Sequence, residues 1–272
     1  MKPLALTFLS ASIIALTACG GGDDNAENLT TEQVLSLARN TNSANQNYPD
    51  SATNELLMKT PEAVTYYLGD GVLRWSTETQ IPLYFVSIDG ANPPQTLIDG
   101  VAQLESRLGD IFTDFKLLTW DVQQYRDTNA SDENMGNDTF DKAFFMAQNN
   151  LSEGGMILSI DSGYYDKQYS NNAQNMCANS SIAPFSGALQ ILWDKTGYTY
   201  SKENLIWTNM GNNHGCKWNT QTVMHELAHG MGMYQHFEPQ FGSWSDGAFD
   251  VLATLYHNAP GTKWADLQVS TL

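Results

Sequence analysis

Positive charge is scarce in this chain of 272 residues, where 13 Lys and Arg stand against 30 Asp and Glu and the formal net charge is −17. The few cations are scattered, which argues against nucleic acid as a partner, because phosphate binding draws on clustered Lys and Arg. Such acidity keeps an exported protein soluble, repels anionic surfaces and leans toward basic peptides. Long apolar runs are nearly absent too. Residues 3–16 form one, directly behind Lys2, and it is too short to cross a bilayer as a helix. Cysteine occurs three times, at Cys19, Cys177 and Cys216, with no pair at the short spacing of a structural zinc site. No internal repeat is present, which sets aside solenoids and propellers.

The apolar run ends in Leu16-Thr17-Ala18-Cys19, a secretory signal with a small-residue cleavage site. These four residues resemble the lipobox of bacterial lipoproteins. The resemblance implies a signal peptide over residues 1–18 and a lipid on Cys19, the only contact with the membrane. Gly20-Gly21-Gly22-Asp23-Asp24 reads as a flexible tether. The aspartate that holds such lipoproteins at the inner membrane is missing directly after Cys19, so the expected address is the outer membrane or cell surface. An exported chain meets an oxidising compartment, and Cys177 and Cys216 are expected to form one disulfide. That bridge would pin the start of the helix after Cys216 to the loop holding Cys177.

The strongest chemical signal is His225-Glu226-Leu227-Ala228-His229-Gly230-Met231-Gly232. Residues four apart on a helix lie one above the other, so His225 and His229 share a face and can bind one metal ion. Glu226 sits one step round, off the metal yet within reach of a water, as a general base must be. Val223, Met224, Leu227, Ala228 and Met231 supply an apolar stripe beside the histidines, and Asn219 or Thr220 can cap the start. Gly232 can take a positive φ, end the helix and turn the chain back.

This stretch resembles the signature of the metzincin zinc endopeptidases, HExxHxxGxxH followed by a turn carrying a methionine. The chain reads HELAHGMGMYQH, one residue longer, so Gln235 stands at the family's third-ligand position and His236 follows it. The resemblance implies zinc held by His225, His229 and His236, because imidazole is a far better ligand than a neutral amide. Asp246, Asp250 and His257 are the other candidates, and His214 is expected to line the cleft or the surface. No methionine follows Met233, so Leu252 stands where the methionine turn would fall, a near-isosteric replacement. Tyr256 is a candidate for oxyanion contact or a fifth ligand, beside the plainer reading of a core tyrosine. Tyr67-Leu68-Gly69-Asp70 resembles the FxGD switch of astacin propeptides, in which an aspartate covers the zinc; a simple turn is the alternative.

Residues 19–55 are polar apart from a short helical pattern at Val34, Leu35, Leu37 and Ala38, and are expected to be a tether with a loosely attached helix. Residues 56–73 read as a connecting or pro-like segment and 74–272 as the zinc metalloprotease domain. Strand patterns fall at 81–88, 115–122, 155–160, 188–193 and 205–208, and a helical pattern at 97–111. This order is α/β. The metzincin resemblance implies a twisted, mostly parallel sheet with an antiparallel edge strand, packed on helices that include the zinc helix, and a smaller C-terminal subdomain after Gly232. It also implies an edge strand that pairs with extended substrate, placed at 187–193.

The expected function is a monomeric, envelope-anchored zinc endopeptidase acting on protein or peptide substrates, with Glu226 as base. Two rivals stand beside it: a non-catalytic surface lipoprotein, an adhesin or binding module that keeps the zinc site, and a zinc amidase acting on cell-wall crosslinks. Glu226 argues against the first, since a structural metal needs no base.

Overall fold

The computed structural model describes residues 29–42, 55–60, 63–68, 70–87, 90–119, 142–160, 178–182, 193–194, 196–211, 217–233 and 244–270. Cys19, Cys177, His214, Cys216, Gln235 and His236 lie outside the described residues. In chain order the elements are α1 (Thr31–Asn42), β1 (Glu55–Thr60), β2 (Ala63–Leu68), β3 (Leu83–Val86), α2 (Gln95–Leu108), β4 (Lys116–Leu118), α3 (Lys142–Gln148), β5 (Gly155–Ile160), β6 (Ala178–Ile182), β7 (Trp193–Asp194), β8 (Thr199–Tyr200), β9 (Leu205–Met210), α4 (Thr220–Gly230) and α5 (Asp246–His257).

The architecture is mixed α/β. Its centre is a five-stranded sheet in the order β4-β3-β5-β9-β6, with the first four strands parallel and β6 antiparallel at the edge. Strands β3, β5 and β9 are buried along almost their whole length, as parallel strands covered on both faces must be. Alternate residues divide between two apolar layers. Leu83, Phe85, Met156, Leu158, Ile206 and Met210 meet Leu97, Val101 and Leu104 of α2 and the stripe Val223, Met224, Leu227 and Ala228 of α4. Tyr84, Val86, Ile157, Leu205 and Trp207 turn the other way, onto Phe145 of α3. Helix α4 therefore lies on the sheet, and its own pattern of apolar residues decides which side faces down. Gly230 brings its last turn close, since a Cβ there would stand 2.6 Å from Met156 Cε and 2.9 Å from Ile206 Cγ2.

Several expectations change. The helix expected to hang loosely is part of the core: Val34 and Ala38 of α1 are fully buried in the same cluster as the apolar stripe of α4. Val72 and Leu73, ahead of the expected boundary at residue 74, are buried there too. A helix with two apolar residues on one stripe needs only a matching groove, and α5 helps provide it. The segment expected to form a turn beneath the metal is helical instead, because Ser245 caps α5 through a bond to the Ala248 amide and apolar residues then run through Tyr256. Leu252 is a fully buried helix residue. The strand pattern at 81–88 shrinks to Leu83–Val86, with Ile81 making an isolated bridge to Phe112. Among the described residues Ala178–Ile182 ends the sheet beside β9, and Trp193–Asp194 pairs with Thr199–Tyr200 in a separate ribbon; the rest of the expected edge strand, residues 187–192, lies outside the described residues. The strands at 155–160 and 205–208 fall where expected, the latter extending to Met210.

Candidate metal centre

Helix α4 begins at Asn219, whose side chain accepts from the Thr222 amide while Thr222 Oγ1 accepts from the Asn219 amide, a reciprocal capping box. It ends in a Schellman motif: the Met233 amide donates to Ala228 O at 2.9 Å and the Gly232 amide to His229 O at 3.2 Å. Gly232 carries φ +115°, a left-handed value that only glycine adopts cheaply. The expected turn after the motif is therefore present, and it returns the chain toward the histidines.

That return fixes the chemistry of His229. Its Nδ1 lies 2.6 Å from Met233 O, and a carbonyl only accepts, so Nδ1 carries the proton and donates. In the neutral ring Nε2 is then the lone-pair nitrogen. His225 Nε2 stands 3.2 Å from it, with the two rings nearly perpendicular at 89°. Two nitrogens sharing one tetrahedral zinc at about 2.0–2.1 Å stand roughly 3.3–3.4 Å apart, so this spacing suits a common ion. A carbonyl holding the far nitrogen of a ligating histidine is the usual device for setting its tautomer and ring orientation.

Glu226 is buried, at 7% exposure, and its Oε2 has no hydrogen-bond partner among the described residues. Burial pushes its carboxyl up to about 7, with the neighbouring Ser180 opposing the rise. Ser180 lies on edge strand β6, and its Oγ donates to Glu226 O at 2.7 Å. With that proton engaged, Thr208 Oγ1 of β9, 2.7 Å away, is the donor to Ser180 Oγ. The sheet edge is thereby tied to the helix at the residue between the two histidine turns.

Among the described residues no third His, Cys, Asp or Glu joins His225 and His229 in a group able to hold a metal. Asp246 pairs with Arg107 at 2.7 Å, and His257 bonds Ser270. Asp250 is likewise not gathered with the histidines. The preferred third ligand, His236, and its neighbour Gln235 fall outside the described residues, as do Cys19 and the expected Cys177–Cys216 pair.

Tyr256 is placed as a support. It is buried, its hydroxyl donates to Met231 O at 3.0 Å, and the Arg74 guanidinium lies 5.0 Å from the centre of its ring. Burial holds its hydroxyl above the ordinary tyrosine range, so it stays a donor. Asp70, the aspartate of the switch-like segment, is engaged elsewhere: Lys263 Nζ donates to its Oδ2 at 2.6 Å and Tyr198 to its Oδ1 at 2.9 Å.

Residues without any sequence signal complete the site's surroundings. Trp75 Nε1 donates to Gly230 O at 2.9 Å, and Asn42 Nδ2 to Gly232 O at 2.8 Å. Neither belongs to a motif, and both act across more than 150 positions of chain, the separations being 155 and 190. Comparison of the chain with models of known protein families, with characterised proteins and with solved structures finds no match, so the reading of this centre rests on its own geometry.

Proposed function

We propose that this chain is a metzincin-like zinc endopeptidase held at the bacterial envelope by a lipid on Cys19. The observation that carries the reading is the convergence of His225 and His229 Nε2 at 3.2 Å, with the His229 tautomer set by Met233 O. A motif surviving by accident on a solvated helix face has no reason to return its own chain to hold one of the rings. Support also comes from the mostly parallel sheet with an antiparallel edge strand beside the zinc helix, the arrangement that the metzincin resemblance implies. His225 and His229 would hold the ion, with His236 as the third ligand.

Zinc bound there would supply Lewis acidity toward a peptide carbonyl and make water a nucleophile near neutral pH. Glu226 takes the proton from the attacking water at Oε2 as the new C–O bond forms. It then gives that proton to the amine nitrogen as the C–N bond breaks. The buried Oε2, without a partner among the described residues, fits this role, because an orphan acceptor in a folded interior is otherwise a net cost. Edge strand β6, tied to Glu226 through Ser180, is the strand on which extended substrate would lie.

The test is zinc content together with hydrolysis of unstructured protein, of short peptides and of cell wall, for the wild-type chain and for His225→Ala and His229→Ala. The expected result is one zinc per chain, protein and peptide cleavage, and loss of both in either variant. Zinc binding without hydrolysis would indicate a binding module, and hydrolysis confined to cell wall would indicate an amidase.

A further inference from the structure

The carbonyls that leave α4 are held one after another by side chains, three of them from other parts of the chain. Gly230 O accepts from Trp75 Nε1 at 2.9 Å, Met231 O from the Tyr256 hydroxyl at 3.0 Å, Gly232 O from Asn42 Nδ2 at 2.8 Å, and Met233 O from His229 Nδ1 at 2.6 Å. The first three donors are fixed in the core, and the last is the histidine itself. A helix end leaves its carbonyls without intrahelical donors, and one or two capping bonds usually serve. Here the path of the chain from Gly230 to Met233 is specified residue by residue.

Asn42 is the donor nearest the histidine's own acceptor. It is fully buried at the end of α1. Its Nδ2 also donates to Leu73 O at 2.8 Å, and its Oδ1 accepts from the Leu73 amide at 2.9 Å. The amide orientation is therefore fixed on both sides, since Leu73 N can only donate and both carbonyls can only accept. A side chain this constrained is a rigid bracket: it fixes Gly232 O against Leu73, one residue before the carbonyl that sets the His229 ring. The bracket also leaves no space for a side chain at 232, since a Cβ there would lie 2.8 Å from Asn42 Nδ2.

We propose that Asn42 is a positioning residue of the metal centre: through the Gly232 carbonyl it orients Met233 O and so the His229 imidazole, which makes helix α1 a working part of the site. This rests on the zinc reading above as to what the histidine binds, but the orientation of the ring is a separate claim. It assigns α1 a role opposite to that of an inhibitory pro-segment, since the helix assembles the ligand instead of covering it.

The experiment compares wild type, Asn42→Ala and Val34→Ala. Val34 is fully buried on the same helix, so its truncation loosens α1 without removing the bond to Gly232. Two readouts are taken on the full chain. One is zinc affinity by competition with a chromophoric chelator. The other is the His229 Nδ1 proton in the metal-free protein, observed by nitrogen-edited NMR on labelled histidine. Asn42→Ala is expected to weaken zinc about tenfold, at the low end of what removing a direct partner of a ligand does, and to lose the protected Nδ1 proton signal. Val34→Ala should keep both. An unchanged Nδ1 signal and affinity in folded Asn42→Ala, or equal losses in Val34→Ala, would overturn the assignment. If Asn42→Ala does not fold, Asn42→Asp supplies the same comparison: it keeps the shape and the Leu73 N contact but faces two carbonyls with acceptors, and a retained Nδ1 signal there would also overturn it. Failure of wild type to bind zinc would remove the protease reading, while the proton signal still decides the role of Asn42.

Discussion

Glu226 combines deep burial with a carboxylate oxygen that meets no donor among the described residues, and two consequences belong to this one side chain. The first is chemical. Glu226→Gln keeps the shape and leaves both histidines in place, so zinc binding should persist while cleavage falls by about 10²–10⁴-fold, the usual range for losing a general base. Parallel zinc analysis and peptide assays check it; undiminished cleavage would remove Glu226 from the mechanism. The second concerns pH. In the metal-free protein the folded-state value of about 7 lies above the ordinary 4.5, so between those values the folded chain binds more protons than the unfolded one. Stability then falls as pH rises through this window, by roughly 3 kcal/mol at most, and levels off above it. Urea unfolding of the apoprotein from pH 4 to 8 should show this slope, and Glu226→Gln should flatten it. An apoprotein that grows more stable across the window would contradict the burial of the carboxyl.

At the scale of elements, the end of α4 is where local sequence and tertiary structure meet. Gly232→Ala forces a side chain onto φ +115° and against Asn42, and is expected to destabilise the fold by about 1–3 kcal/mol, measurable as a lower urea midpoint with an unchanged slope. Zinc affinity should fall with it. What could be read in advance here was local: the Asn219 cap, the apolar stripe, the glycine stop and the strand at 155–160 depend on residues within one turn or one strand of each other. Leu252 shows the opposite case. Analogy placed it in a turn, but Ser245 and the apolar spacing through Tyr256 had already written a capped helix, and the local physics prevailed. Asn42 and Trp75 were not legible at all, because a buried hydrogen bond to a carbonyl 190 or 155 residues away leaves no periodicity and no motif. Ser180 was hidden for the same reason, its partner Glu226 lying on a different element.

For the whole molecule, the first helix belongs to the domain it was expected to trail from. α1 packs on α5, its Val34 and Ala38 share the core with α4, and Asn42 reaches the Gly232 carbonyl at the end of α4. A chain that begins at residue 29 should therefore keep zinc affinity and cleavage, whereas one that begins at residue 43 should lose both and unfold at lower temperature. An inhibitory propeptide would give the reverse, with the shorter chain more active. Asp70 agrees with the first outcome, since its carboxylate joins Lys263 and Tyr198 and thereby ties this segment to the C-terminal part of the fold. On the proposed protease reading, the formal net charge of −17 predicts a lean toward basic peptides that salt should weaken.

The most direct test of the central claim is zinc K-edge X-ray absorption on the zinc-loaded chain. The account predicts a first shell of nitrogen and oxygen at about 2.0–2.1 Å with the outer scattering of at least two imidazoles, reduced in His225→Ala and in His229→Ala. A sulfur shell near about 2.3 Å, or imidazole scattering unaffected by either substitution, would contradict it.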